Sequence, residues 1–198
     1  MRRRAILIAL AVVLVPLGLF FGLRRPFPSD HTPEGAYLRV AQAVGRNRPQ
    51  EFFAYLEEEA QWACFTIRDM RRRAVERVAK SYPEPQRSQM LVQWQRFADA
   101  ADGSDVFAIY YEERGWSKRL RKDMSGVVKV DLEGERASVV TARGTRWPFR
   151  IRKNGIWGLT VFTAELLAEA EKATRDLAIV EAAANDYDRA AAASSAKP

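Results

Sequence analysis

The chain has 198 residues, of which 47% are hydrophobic and 29% are charged, so it has enough apolar material to bury a core. Its one cysteine, Cys64, excludes an internal disulfide bond, and its place in the apolar stretch AQWACFTI indicates a buried thiol. With His31 as the one histidine, catalysis by Cys–His or Ser–His–Asp sets and a histidine-based metal site are excluded.

The formal net charge of +7 is unevenly distributed. Residues 1–25 hold five arginines and no acidic residue, which leaves 27 basic and 25 acidic residues in the rest of the chain. Nucleic-acid binding would need a basic stripe with stacking aromatic residues and a recognisable module. The run Arg71-Arg72-Arg73 instead indicates a solvated helix face, with anionic lipid as its alternative partner, and no nucleic-acid partner is predicted.

Residues 5–23, AILIALAVVLVPLGLFFGL, carry no charged side chain. At about 1.5 Å per residue, a helix of this length spans about 28 Å, close to the hydrocarbon core of a bilayer. An uncleaved membrane anchor is therefore predicted over residues 1–25. The alternatives are a buried core helix and a cleaved secretory signal, although GLRRPFPSD offers no small-x-small cleavage site. The anchor is flanked by Arg2, Arg3, Arg4, Arg24 and Arg25.

The arginines are denser before the apolar segment than after it. Because an excess of Lys and Arg marks the cytoplasmic side, this asymmetry favours a cytoplasmic N-terminus and an extracytoplasmic domain. In a bacterial cell, the domain would lie in the periplasm.

A stiff linker with two prolines is predicted over residues 26–31, before a helical half of the domain. Thr32 and Pro33 have the residue types of an N-cap and a first helical position. That helix breaks over residues 45–48, and Pro49 begins a short second one. Longer helices are predicted over residues 58–81, 86–101, 104–113 and 116–124, with Ser104 as the cap of the third.

At Gly126 the hydrophobic period changes from 3.6 to 2, which predicts strands. Glu133-Gly134 and Asn154-Gly155 are turn sequences, and the fourth strand covers residues 156–162. The pattern indicates an antiparallel meander with one apolar and one charged face. The residues of its apolar face are Val128, Val130, Leu132, Ala137, Val139, Thr141, Trp147, Phe149 and Ile151.

A long helix is predicted over residues 163–193, followed by a disordered tail over residues 194–198. The helix carries a heptad seam, which we expect to pack on the domain's own helices, with a partner helix or a second copy of the chain as the alternative. The seam consists of Leu166, Ala170, Ala173, Leu177, Val180, Ala184 and Tyr187.

Over residues 32–162 the chain resembles the NTF2-like (cystatin-like, cone-shaped) superfamily. TPEGAYLRVAQAVGRNRPQEFFAYL resembles the first two helices of that fold, and RWPFRIRKNGIWGLTVF resembles its closing hairpin. The predicted fold class is α+β, in one domain over residues 32–193: an N-terminal transmembrane helix, a helical half packed on a four-stranded antiparallel meander, and a long C-terminal helix. The longer helical half and the final helix depart from the family pattern.

The resemblance implies two kinds of function. Enzymes of the superfamily, among them isomerases, dehydratases and polyketide cyclases, hold a carboxylate or histidine inside the cone, often with a tyrosine. No such motif is found here, so no catalytic, cofactor or metal-binding residue is predicted, and the only nominees are Asp69, Asp99, Tyr110 and Tyr111. Other members are membrane-tethered and non-catalytic, including scaffold subunits of secretion systems.

The leading hypothesis is a single-pass, non-catalytic domain at the cell envelope that binds a protein partner or forms a homodimer. A second hypothesis is a pocket for a small apolar molecule or lipid, unless the aromatic side chains fill the core instead. A third is an isomerase-like or dehydratase-like enzyme. The residues that would line the pocket are Trp62, Trp94, Tyr110, Trp147, Phe149 and Trp157.

Overall fold

The computed structural model describes residues 27–195 and has the predicted α+β architecture. Within residues 27–195, six helices precede a four-stranded meander, and a long helix follows it. The helices are α1 Pro33–Arg46, α2 Pro49–Phe53, α3 Glu58–Ser81, α4 Gln86–Ala98, α5 Gly103–Glu113, α6 Trp116–Asp123 and α7 Thr163–Ser195. The strands are β1 Val127–Glu133, β2 Arg136–Thr141, β3 Arg146–Ile151 and β4 Trp157–Leu159.

The predicted anchor over residues 1–25, with its flanking arginines, lies outside the described residues. Between residues 27 and 195, the structure has no helix that is both long and apolar enough to cross a membrane. Helix α7 extends two residues beyond its predicted end, into the segment expected to be a disordered tail.

Helix α1 begins as its sequence predicts. The Thr32 hydroxyl accepts a hydrogen bond from the Gly35 N–H at 3.1 Å, and Pro33 occupies the first turn, where no N–H donor is needed. The helix ends at Asn47, which has a left-handed backbone with φ of 55°. Its N–H bonds to the last carbonyls of the helix, as is usual at such C-termini.

Helix α5 begins differently from the prediction, because Asp102 and not Ser104 is its cap. The Asp102 carboxylate accepts hydrogen bonds from the backbone N–H groups of Ser104 and Asp105. Helix α4 ends at Ala98, three residues before its predicted end. The Arg72 guanidinium group donates a hydrogen bond to the Ala98 carbonyl oxygen at 3.2 Å. This bond satisfies a carbonyl at the end of the helix, so no further helical turn is needed there.

The strands form an antiparallel sheet in the order β1-β2-β3-β4, as the meander pattern predicts. One face is buried beneath the helices and carries Val139, Trp147, Phe149 and Leu159. The opposite face is charged, and there Asp131 pairs with both Lys129 and Arg146 at 3.0 Å.

Strand β1 departs from the predicted alternation. Val128 and Leu132, predicted on the apolar face, are 66% and 60% exposed. The register shifts between Val127 and Lys129, so Val128 is the extra residue of a β-bulge. Because β1 is the edge strand, Leu132 near the β1–β2 turn keeps most of its surface in solvent. Val127 and Val130 are the residues of β1 that pack against the core.

Strand β4 is shorter than predicted, because Thr160 makes its last hydrogen bond to β3 and a turn follows. The Thr160 N–H donates to the Pro148 carbonyl, and the Thr163 N–H donates to the Thr160 carbonyl in a turn that leads into α7.

The seam of α7 packs against α3 of the same chain. Tyr187, at the end of the seam, is half-buried and lies 5.0 Å from the ring of Tyr82. Val180 and Leu177 form a second core cluster with Trp94 of α4. The chain itself therefore covers the predicted helix–helix interface, whose fully buried members are Leu166, Ala170, Ala173, Leu177, Val180 and Ala184.

Candidate interaction surface

The structure does not bring the six predicted pocket aromatics together. Trp147, Phe149 and Trp157 are packed in the main core, whereas Trp94 belongs to the second cluster beneath α7. Tyr110 donates a hydrogen bond to Glu169 of α7 at 3.2 Å. Trp62 is 64% exposed. Five of these side chains therefore fill packed regions and the sixth faces solvent.

The nominated acid–base residues are also separated. Asp69 is an exposed residue that pairs with Arg68 at 2.8 Å, and exposed Asp99 accepts a hydrogen bond from Gln95 at 2.8 Å. Burial raises the pKa of Tyr110 and of Tyr111, which favours their neutral forms. Neither aspartate lies in a cavity beside a tyrosine, so the arrangement that a general base requires is not formed by these four residues.

Cys64 is not a reactive thiol in the folded domain. Burial raises the pKa of the Cys64 thiol to about 12, so it is protonated at neutral pH and does not act as a nucleophile. No group of three or more His, Cys, Asp or Glu side chains in this part of the chain could hold a metal ion.

The arginine run on α3 is only partly the solvated face that was predicted. Arg72 and Arg73 are exposed, but Arg71 is 5% exposed, with its guanidinium 2.7 Å from the Asp176 carboxylate and 4.6 Å from the Trp94 ring. The position of α7 explains the difference, because that helix covers one side of α3 and supplies Asp176. Arg71 therefore links α3 to α7 through an ion pair and is not accessible to an external anionic ligand.

An open groove of about 750 Å³ lies between α2, α5 and α6. Ala108, Ile109 and Tyr111 of α5 contribute its apolar wall, and Pro49 and Gln50 border it on the side of α2. Lys118 and Arg121 of α6 border the other side. The groove thus places an apolar strip next to a basic rim, a combination found at the edges of protein-binding sites.

The sequence of α6, WSKRLRKD, explains this basic rim. Trp116 and Leu120, four residues apart, are buried, and the Trp116 ring stacks on Phe162 at 4.0 Å. Gly115 leads into the helix with φ of 63°, a conformation that glycine adopts without strain. Since one face of α6 is anchored in the core, its basic residues are held at the surface, and these are Lys118, Arg119, Arg121 and Lys122.

The cations of α6 are uncompensated. None of the four lies in an ion pair within the described part of the chain, although Arg121 donates to the Val44 carbonyl at 3.3 Å. Of the two acidic residues that line the groove, Glu112 pairs with Arg96 at 2.6 Å, whereas Asp105 accepts hydrogen bonds from two neutral donors, the Gln50 side chain and the Ala101 N–H. The groove therefore presents a positive rim to an approaching partner.

Comparison with known proteins finds no matching family model, no similar curated protein and no similar solved structure. The groove and its basic rim were not predicted from the sequence. The signal that points to them is the pair Trp116 and Leu120 inside a run of basic residues, which places four cations on the outer side of a short helix.

Proposed function

We propose that this chain is a single-pass membrane protein whose non-catalytic, extracytoplasmic domain binds an acidic segment of a partner protein in the groove between α2, α5 and α6. The domain is proposed to be NTF2-like, with a cone that is filled by its own side chains. The observation that carries the proposal is the uncompensated basic rim of α6 beside an apolar wall.

The filled interior supports a binding role over a catalytic one. Tyr37, Phe149 and Leu159 are essentially inaccessible to solvent, and Trp147 lies 6.3 Å from the Tyr37 ring. The Tyr37 hydroxyl donates a hydrogen bond to the Ser125 carbonyl at 2.8 Å, so this polar group is bonded within the domain. This packing leaves the proposed cone without the cavity that an enzyme or a small-molecule carrier needs.

The basic rim supports an acidic partner. Lys118 and Arg121 are exposed and three residues apart, so they lie on one side of α6. A carboxylate that contacts both would be attracted without displacing an existing ion pair, and a neighbouring apolar side chain would contact the half-buried Ala108 of the groove wall. Charge of this kind also accelerates association.

Membrane attachment rests on residues 5–23. Their length and composition match a bilayer span, and the arginine asymmetry favours an extracytoplasmic domain. The seam of α7 packs on α3, which favours a partner at the groove over dimerisation through the seam.

The experiment is site-specific photo-cross-linking of the full chain in its native membrane. A photoreactive amino acid replaces Ser117, which lines the groove, and in a control chain it replaces exposed Ala178 on α7. We expect a polypeptide adduct from position 117 whose cross-linked segment is rich in Asp and Glu, and no such adduct from position 178. Equal adducts from both positions, or no polypeptide adduct from position 117, would overturn the proposal.

A further inference from the structure

Two exposed aromatic side chains lie at the end of the domain where the described chain begins. Phe27 is 48% exposed and Trp62, in the second turn of α3, is 64% exposed. Exposed apolar side chains that share one surface mark a site of contact with a partner or a membrane, and tryptophan in particular is enriched where protein meets the headgroup region of a bilayer.

The start of the described chain is held firmly on the domain. The Arg39 guanidinium lies 4.9 Å from the centre of the Phe27 ring and donates to the Gly35 carbonyl at 3.1 Å. The Trp157 side chain donates to the His31 carbonyl at 3.2 Å. The first described residues are therefore packed against this end of α1 and the β3–β4 turn.

Trp62 belongs to the same end. It lines a shallow cleft with Arg152, Lys153 and Asn154 of the β3–β4 turn. The next residue, Gly155, lies so close to His31 that an added Cβ would sit 2.8 Å from the imidazole Nδ1. The cleft is thus continuous with the segment that follows Phe27.

Two basic side chains, Arg152 and Lys153, line this cleft, and neither forms an ion pair among the described residues. Asp30 lies 3.9 Å from Arg39, Arg152 is half-buried and donates to the Ala54 carbonyl, and Glu58 also lines the cleft. Lys153 is exposed and forms no ion pair in the part of the chain that the structure describes. The surface therefore combines two aromatic side chains with an available ammonium group.

We infer that Phe27, Trp62 and Lys153 form a lipid-contact surface that lies in the headgroup region of the membrane and fixes the orientation of the domain. The inference rests on the proposed membrane anchor. Three residues lie between Leu23, the end of the apolar segment, and Phe27, and the four Cα–Cα steps that join the two span at most about 15 Å. A domain tethered this closely must present the Phe27 end to the bilayer.

This orientation also places the groove on the far side of the domain. Helix α1 has 14 residues and spans about 21 Å from Pro33, next to the linker, to Arg46. Its last turn adjoins α6, because Arg121 donates to the Val44 carbonyl and Ser117 donates to Asn47. The lipid-contact surface and the basic rim therefore lie at opposite ends of α1, and membrane contact leaves the rim accessible.

The test uses the full chain reconstituted in vesicles of phosphatidylcholine and phosphatidylglycerol, with lipids brominated near the carbonyl end of their acyl chains. Bromine quenches tryptophan fluorescence at short range, and the other four tryptophans of the chain are buried. We expect quenching that is lost in Trp62→Phe. A control chain carrying Trp62→Phe with Val92→Trp, which moves the exposed tryptophan to α4, is expected to show no recovery of quenching.

Lys153→Glu is expected to reduce the quenching in phosphatidylglycerol vesicles, whereas Lys172→Glu on the outer face of α7 leaves it unchanged. If the chain resists alkaline carbonate extraction but Trp62→Phe does not alter the quenching, the lipid-contact surface is wrong while the anchor stands. If carbonate removes the chain from the vesicles, the proposed anchor fails and this inference fails with it.

Discussion

Arg71 of α3 is paired with Asp176 of α7, with 2.7 Å between the guanidinium Nη1 and the carboxylate Oδ2. The pair lies between the two longest helices of the described chain, next to the face of Trp94. Because Arg71 is almost fully buried, removal of its partner would leave a cation without compensation in an apolar region. The attachment of α7 therefore depends on a charge pair as well as on the heptad seam.

Asp176→Ala is expected to lower the free energy of unfolding by about 3 kcal/mol, the lower end of the range for a broken buried pair. Urea denaturation of residues 27–195, followed by circular dichroism, measures the change. The matched control is Glu181→Ala, which breaks an exposed pair with Arg73 on the same two helices and should cost less than about 1 kcal/mol. Equal losses in the two variants would show that burial of Arg71 contributes nothing.

Gly158 allows β4 to lie close to the backbone of Leu56 and Glu57, the two residues that precede α3. An added Cβ would sit 2.7 Å from the Glu57 Cα and 2.8 Å from the Leu56 carbonyl oxygen, and both of these are backbone atoms. Gly158→Ala is therefore expected to destabilise the domain by about 1–3 kcal/mol, as overpacked sites do. Gly126→Ala, where no atom lies within 4 Å, should leave the melting temperature unchanged. A Gly158→Ala protein that melts like the wild type would contradict this close approach.

Some of this architecture follows from local sequence and some does not. The bounds of α3 agree with the predicted helix over residues 58–81, because an apolar stripe runs along it and Tyr82-Pro83 ends it. The Asn154-Gly155 turn likewise needs no distant contact, since Gly155 has φ of 80°. These features depend on residues that are neighbours in the chain.

The features that sequence did not predict depend on where distant elements meet. Burial of Arg71 depends on α7, more than a hundred residues away, and exposure of Val128 depends on a bulge opposite β2. The aromatic residues of the supposed pocket share a chemical type, but the fold distributes them over two cores and the surface. Predicting the basic rim would have required knowing which acidic side chains pair with which arginines in the folded chain.

The Cys64 thiol is expected to be unreactive in the folded domain. Burial raises its pKa from 9.0 to about 12, so the native protein binds one more proton than the unfolded chain between these values. The stability cost of deprotonating Cys64 is absent below pH 9 and grows as the pH rises toward 12. Labelling with a chromogenic disulfide reagent at pH 8 should be slow in buffer and complete in urea. Rapid labelling of the folded protein would contradict the burial of this residue.

Asp102 caps α5, and hydrogen bonds from the Ser104 hydroxyl and from backbone N–H groups hold its pKa below the usual value of 3.8. A lowered native pKa means that its charged form contributes stability above pH 4, and that this contribution is lost as the pH falls through the native value. Asp102→Ala should cost about 1 kcal/mol at pH 7, whereas Asp102→Asn keeps the cap. If the two variants have the same unfolding free energy, the cap is not made by this side chain.

The central claim is that the basic rim of α6 binds an acidic partner, and charge reversal at the rim tests it most directly. The measurement is the yield of the position-117 cross-link in Lys118→Glu/Arg121→Glu, compared with Lys172→Glu/Arg175→Glu, which reverses the same residue types at the same spacing on α7. We predict that the first pair abolishes the adduct and that the second leaves it at the wild-type yield. An adduct that survives charge reversal at Lys118 and Arg121 would contradict the account.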